Sequence, residues 1–302
     1  VAYFISNLIQ KNNLNTLNKL FEKIELSKPK FSELLKFATI ITHSFYSLNE
    51  KRALTIYSDL IKHESFRNTV PLLYIDYSHL RGIYFKVLML IKKQSPVKSD
   101  LFFVALMEFY RQFYTEGICE NQDIKRPETF STFNPVLKGR FYSYKIMLSS
   151  AVDSSLKKEL FKECRTTKVS WFLEEVIPAL LIKEEYKILT KLSDKFYEQI
   201  FESDYWSDNT VSSIYLIALA NINWYANNIS MAKGNLELVV LDKIELGYYD
   251  YVALFYYQTK IKISHLEGDE ITNTASFLIL EKLVLKTGFI KFLEISKKHL
   301  LN

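Results

Sequence analysis

Residues 31–46, FSELLKFATIITHSFY, place Leu34, Phe37, Ile41 and Phe45 three and four positions apart, the period of one helix face. Ser47-Leu48-Asn49 interrupts the pattern, and Ala53, Tyr57 and Leu60 resume it. Two helices joined by so short a turn lie antiparallel. The arrangement returns at residues 213–241. Leu216, Leu219 and Ala220 mark one helix, Asn227-Asn228 a turn, and Ala232, Leu236 and Val239 the next helix. A chain built this way has few architectures open to it. No single pair buries all of its apolar faces, so neighbouring pairs must stack.

The spacing resembles the tetratricopeptide (TPR) pattern of about 34 residues. Leu216, Leu219, Ala220, Ala232 and Leu236 fill its slots, as do Phe37, Ile40, Ala53 and Tyr57 in the earlier unit. Asn223 stands where an aromatic is usual, with Trp224 beside it, and Val239 replaces a small residue. The small slots let the two helices of a pair approach closely, and the large ones fill the gap to the next pair. Further pairs are expected at residues 1–10 with 14–26, 170–181 with 183–201, and 248–265 with 270–285, and a capping helix at 289–300. At about 36 residues per unit the chain would hold roughly eight irregular repeats. Only 7 Gly and 6 Pro occur in 302 residues, too few for a turn-rich β fold. The expectation is an all-α, right-handed α-solenoid of TPR-like helix-turn-helix repeats. Residues 1–114 form its N-terminal repeats, 115–135 a long loop containing Gly117, Pro127 and Pro135, and 136–302 its C-terminal repeats with the cap.

Charge and motifs narrow the function. A net charge of +5 is spread along the chain with no run of five basic residues, so no nucleic-acid arm is present. Cys119 and Cys164 form no CxxC, and so few cysteines suit a cytoplasmic chain. No apolar run approaches the roughly 18 residues of a membrane span. His43, His63, His79, His265 and His299 show no metal-ligand spacing, and no phosphate-cradling or nucleophile motif occurs. A non-enzymatic chain without metal or cofactor is expected. Glu174-Glu175 and Glu184-Glu185 read as solvated helix faces. RFYSYK, residues 140–145, interleaves base and aromatic, but Phe141, Tyr144 and Leu148 keep helical spacing and read as core.

GYYDYVALFYYQTK, residues 247–260, carries six aromatic rings in fourteen residues, on more than one helix face. A helix packed on one side does not need this; the first helix of a stacked pair does. Most of these rings read as core, with Tyr249 and Tyr256 the candidates for a concave groove, where a hydroxyl can reach water or a ligand. In the preceding first helix, Ile217, Asn221, Trp224 and Asn228 share one spacing. An Asn amide donates and accepts, so Asn221 and Asn228 could hold the backbone of an extended peptide, with Trp224 as an apolar wall. The alternative is that Asn221 is a solvated helix residue and Asn228 a turn residue.

ELGYYDY (residues 245–251), the helix that follows, the break at Glu267-Gly268-Asp269, ITNTASFLILEKLVLKTG (residues 271–288) and a last amphipathic helix resemble the repeat domain of Rgg/PlcR-type peptide-sensing transcription regulators of Gram-positive bacteria. The phage arbitrium receptors are similar in style. The likeness covers residues 180–300 and rests on repeat-packing positions. It implies a short peptide or protein segment in a concave groove, a homodimer through the C-terminal repeats, and DNA contact through an N-terminal helix-turn-helix. VAYFISNLIQKNNLNTLNKL, residues 1–20, continues the repeat pattern and has no recognition-helix layout. DNA contact is therefore expected only through a domain outside this chain. A non-enzymatic scaffold joining larger proteins is the alternative function.

Overall fold

In a computed structural model, the protein divides into two compact units, residues 1–108 with 245–248, and residues 109–244 with 249–302. The structure describes Lys19 and residues 98–116, 124–127, 130, 135–166, 169–201, 209–244 and 249–300. The helix pairs expected at residues 1–26 and 31–63 lie outside the described residues.

Ten α-helices and one 3-10 turn make up the regular structure of the described residues, with no strand among them. They are α1 (Lys98–Glu116), α2 (Pro135–Leu148), α3 (Ser154–Thr166), α4 (Val169–Ile182) and α5 (Tyr186–Phe201). They continue as α6 (Asn209–Tyr225), α7 (Ile229–Glu237), α8 (Tyr249–Glu267), α9 (Glu270–Thr287) and α10 (Lys291–Lys297). The 3-10 turn, Leu241–Lys243, follows α7. The described part is thus all-α, and none of its helices is long and apolar enough to cross a membrane.

The boundaries have local chemical causes. Asn228 caps α7 by accepting from the Met231 amide, and Asp269 caps α9 by accepting from the Thr272 amide. Gly288, at φ 76°, takes the left-handed conformation that closes α9. Between α4 and α5 the left-handed position falls on Glu184, at φ 56°, an uncommon conformation for a residue with a Cβ. Its turn starts α5 at Tyr186 rather than at Lys183, where periodicity alone would begin it.

Consecutive helices pair and the pairs follow one another. In the unit of residues 109–244 and 249–302, α4 packs on α2 and α5, and α6 packs on α4, α5 and α7. Next, α8 packs on α6, α7 and α9, and α10 closes against α8 and α9. Within α8, Val252, Ala253, Leu254 and Phe255 are at most 1% exposed. Four successive residues point in four directions around a helix, so α8 is enclosed on every side. This accounts for rings on several faces of its sequence. Phe141 and Tyr144 in α2 are buried as expected, but Leu148 is exposed, because the helix ends there.

The α2–α4 contact is close. A Cβ on Gly139 would stand 2.7 Å from the Phe172 carbonyl oxygen and 2.8 Å from Glu175 Cβ, so only glycine fits. Beside it, buried Arg140 donates to Glu175 Oε1 at 2.9 Å, the Tyr110 hydroxyl donates to the Arg140 carbonyl at 2.6 Å, and Ser143 donates to the Glu175 carbonyl. Glu175 is therefore an ion-pair partner, not a solvated carboxylate.

Candidate functional site: a polar cluster under the C-terminal segment

Lys262 lies in the middle of α8 and is 1% exposed. A buried ammonium is costly unless it is bonded from several sides. Its Nζ donates to the Tyr186 hydroxyl at 2.6 Å and to Asn221 Oδ1 at 3.4 Å, and lies 3.5 Å from Glu184 Oε1. The rings of Tyr186 and Trp224 sit 5.3 and 5.5 Å from the same nitrogen. Burial lowers the Lys262 pKa and Lys298 adds to that, while Glu184 opposes it; the result is about 8.

Glu184 joins this cluster to the C-terminal segment. Its Oε1 accepts from the Tyr186 hydroxyl at 3.4 Å, its Oε2 pairs with Lys298, and His299 Nε2 lies 3.9 Å away. Burial alone would raise its pKa, but His299, Lys262 and Lys298 outweigh that and bring it to about 2. The left-handed turn aims the carboxylate at these groups. The segment after α10 is also held through its backbone: Asn273 Nδ2 donates to the His299 carbonyl at 3.0 Å. The His299 ring meets Trp224 edge-on at 5.6 Å and lies 5.8 Å from the His265 ring. Upstream, Phe292 packs on Tyr114 and Phe255 with ring centroids 5.9 and 4.8 Å apart.

Six buried side-chain polar atoms among the described residues have no hydrogen-bond partner in the chain: Gln112 Oε1, Tyr215 Oη, Gln258 Nε2, His265 Nδ1, Ser296 Oγ and His299 Nε2. The last four belong to α8 or to the segment lying on it. Gln258 follows Tyr251 by seven residues and precedes Lys262 and His265 by four and seven, so all four share one face of α8.

The structure separates the residues that sequence spacing grouped. Asn221 is 2% exposed and its amide is used inside the fold: Nδ2 donates to the Ile217 carbonyl at 2.9 Å and to Thr259 Oγ1 at 2.7 Å. Sequence spacing offered Asn221 as a peptide contact; in this structure its amide bonds to α6 and α8 instead. Asn228 is exposed and caps α7, the turn role weighed above. Trp224 is half-buried, with Nε1 donating to the Lys262 carbonyl at 3.0 Å. Tyr256 is half-buried, its hydroxyl pKa raised by burial and by Glu237 of α7. Six residues from Lys262, it stands about 120° away around α8, so it faces a different neighbour from Trp224. The side chain of Tyr249 lies outside the description.

Sequence reasoning missed Glu184, Tyr186, Lys262, Asn273 and His299. Glu184-Glu185 read as solvated, yet both are half-buried, and Glu185 Oε1 accepts from the Val152 amide at 3.1 Å. Lys262, flanked by Ile261 and Ile263 and one turn beyond Gln258, carried the one usable signal, a charge in an apolar stretch of helix. Among the described residues no group of three or more His, Cys, Asp or Glu could hold a metal ion. No protein-family model, curated protein or solved structure matches this chain.

Proposed function

We propose that this protein is a cytoplasmic peptide-binding helical-repeat module that works by binding rather than catalysis, as the sensor part of a signalling receptor or transcription regulator. The supporting observation is the way the polar face formed by α6, α8, α9 and the α4–α5 turn holds the chain's own residues Lys298 and His299. Asn273 takes a backbone carbonyl, Glu184 takes a lysine, and Trp224 and His265 flank the following histidine. The serial packing of α4–α5, α6–α7 and α8–α9 supports a right-handed TPR-like solenoid, whose curvature a bound peptide would bias. The resemblance to Rgg/PlcR-type regulators agrees with this reading, and DNA contact would then need a domain outside this chain. Native mass spectrometry of the protein from its own host tests the proposal. A co-purifying peptide-sized mass, lost on Trp224→Ala, supports it, and its absence argues against it.

A scaffold reading has its own observation. Ile271, Leu278 and Leu285, seven residues apart on α9, are 84%, 51% and 80% exposed, opposite the buried Asn273, Ser276, Leu280 and Val284. An apolar stripe of this kind marks a protein contact, which a homodimer or a larger partner would cover. Sedimentation of the wild type and Leu278→Lys tests it: a lighter species for the variant supports a contact through α9, and equal masses argue against a homodimer there.

A further inference from the structure

The polar cluster is satisfied only in part. Asn221, Thr259 and Trp224 are bonded within the fold. Alongside them, Gln258 Nε2 and His265 Nδ1 of α8, and Ser296 Oγ and His299 Nε2 of the segment packed on it, are buried without a hydrogen-bond partner. His299 Nε2 has the Glu184 carboxylate 3.9 Å away, beyond hydrogen-bond reach, and buried polar atoms without a bonded partner carry a desolvation cost. A permanent cover would be expected to satisfy them, as the α2–α4 contact does for Arg140 and Ser143. The covering element is also weak by itself. Helix α10 has seven residues and no side-chain N-cap bond, far below the length at which a helix holds alone. Its apolar anchors are Phe292, fully buried, and Ile295 one turn later. Beyond Ile295, polar contacts to Glu184 and Asn273 and the edge of the Trp224 ring hold the chain.

We propose that residues 296–300 are a resident occupant of a peptide site on α6, α8, α9 and the α4–α5 turn, and that the site's ligand class is a basic peptide segment that displaces them. This rests on the peptide-binding reading above and adds the location, the ligand chemistry and a built-in competitor. Glu184 selects a cation, as it takes Lys298 now. Asn273 fixes a backbone carbonyl one residue further on. A ligand carrying acceptors and donors for Gln258 and His265 would satisfy atoms that the resident segment leaves bare. Phe289 and Phe292 stay seated on Tyr114 while the residues after Ile295 swing out.

The test uses the full chain and a fluorescent synthetic peptide, KFLEISKKHLLN, which repeats residues 291–302. The tethered segment competes at an effective concentration on the order of millimolar. Wild type should therefore bind the added peptide at least about tenfold more weakly than Lys298→Glu/His299→Ala, whose own segment is loosened; Glu184→Gln on that background should cost about tenfold again, one lost charged contact. Equal affinity in wild type and the double variant, or no binding by either, overturns the proposal. Hydrogen exchange of the wild type gives a readout independent of any variant: amides of residues 296–300 should exchange at least about tenfold faster than those of residues 252–255, and equal protection overturns it. A host peptide that binds wild type and the double variant equally would leave the sensor reading standing and remove this proposal. Binding of the synthetic peptide with no co-purifying host peptide would do the reverse.

Discussion

The α2–α4 contact and the contact between α8 and the C-terminal segment both join helices through charged and hydroxyl groups, yet they are built differently. At α2–α4 a glycine lets two backbones approach, and the Arg140–Glu175 pair, Tyr110 and Ser143 bond one another. At α8 a buried cation is bonded, while two polar atoms of α8 and two of the segment packed on it have no hydrogen-bond partner. Buried polar groups that find one another hold a single arrangement; buried polar groups left over mark a surface that other partners could satisfy better. The first contact holds one arrangement, and the second is where the proposed displacement would act.

The sharpest way to break this comparison is Gly139→Ala. Its methyl would meet a backbone carbonyl that cannot turn aside, so α2 must move off α4, at a cost of about 3 kcal/mol in denaturant unfolding. A loss under half of that would mean the approach is not as rigid as described. Glu184→Gln comes next, at about 2 kcal/mol, because it strips Lys262 of its one carboxylate partner within 4 Å among the described residues and releases Lys298. The same carboxylate gives the contact a pH signature. With its pKa lowered from 4.5 to about 2, Glu184 contributes stability that is complete above pH 4.5 and is lost as the pH falls towards 2. Melting temperature should drop through that window in wild type, and the drop should be smaller in Glu184→Gln. Lys262 acts in the opposite sense. Its folded pKa of about 8 lies below the ordinary 10.5, so the unfolded chain binds more protons between them and stability rises with pH across that interval. Lys262→Met should remove the rise. The smallest effect is Ser296→Ala, which replaces a bare hydroxyl by a methyl and should raise stability by roughly 0.5 kcal/mol. A fall in melting temperature for that variant would show that the hydroxyl has a partner, and the contrast between the two contacts would shrink.

Much of the helical layout was legible because it follows from period and punctuation. Residues 170–181 anticipated α4, 270–285 anticipated most of α9, and Asn227-Asn228 marked the α6–α7 turn. The candidate site was legible only in fragments. Trp224 belongs to it, but Asn221 lies inside the fold and Asn228 caps a helix. Spacing places residues on one helix face without saying which neighbour covers that face. The face holding Asn221 is covered by α8, thirty-eight residues later at Thr259, and nothing local announces it. Glu184 was hidden for a different reason: its left-handed backbone, which turns the carboxylate inward, falls on a residue type that does not advertise it.

The enclosure of α8 also bears on how the chain is made. Its walls come from α6 and α7, which precede it, and from α9 and α10, which follow it. The Tyr114 hydroxyl at the end of α1 lies 3.4 Å from that of Tyr251 across 137 residues of sequence. At a synthesis rate of about 10 residues per second, Tyr114 is joined to the chain more than ten seconds before its neighbour exists. For that interval the end of α1 is an unfinished wall with its aromatic side chains bare. The helices from α8 onward close this part of the molecule, and a ribosome that stalls before α8 leaves behind a chain that quality-control machinery can recognise by what it fails to cover.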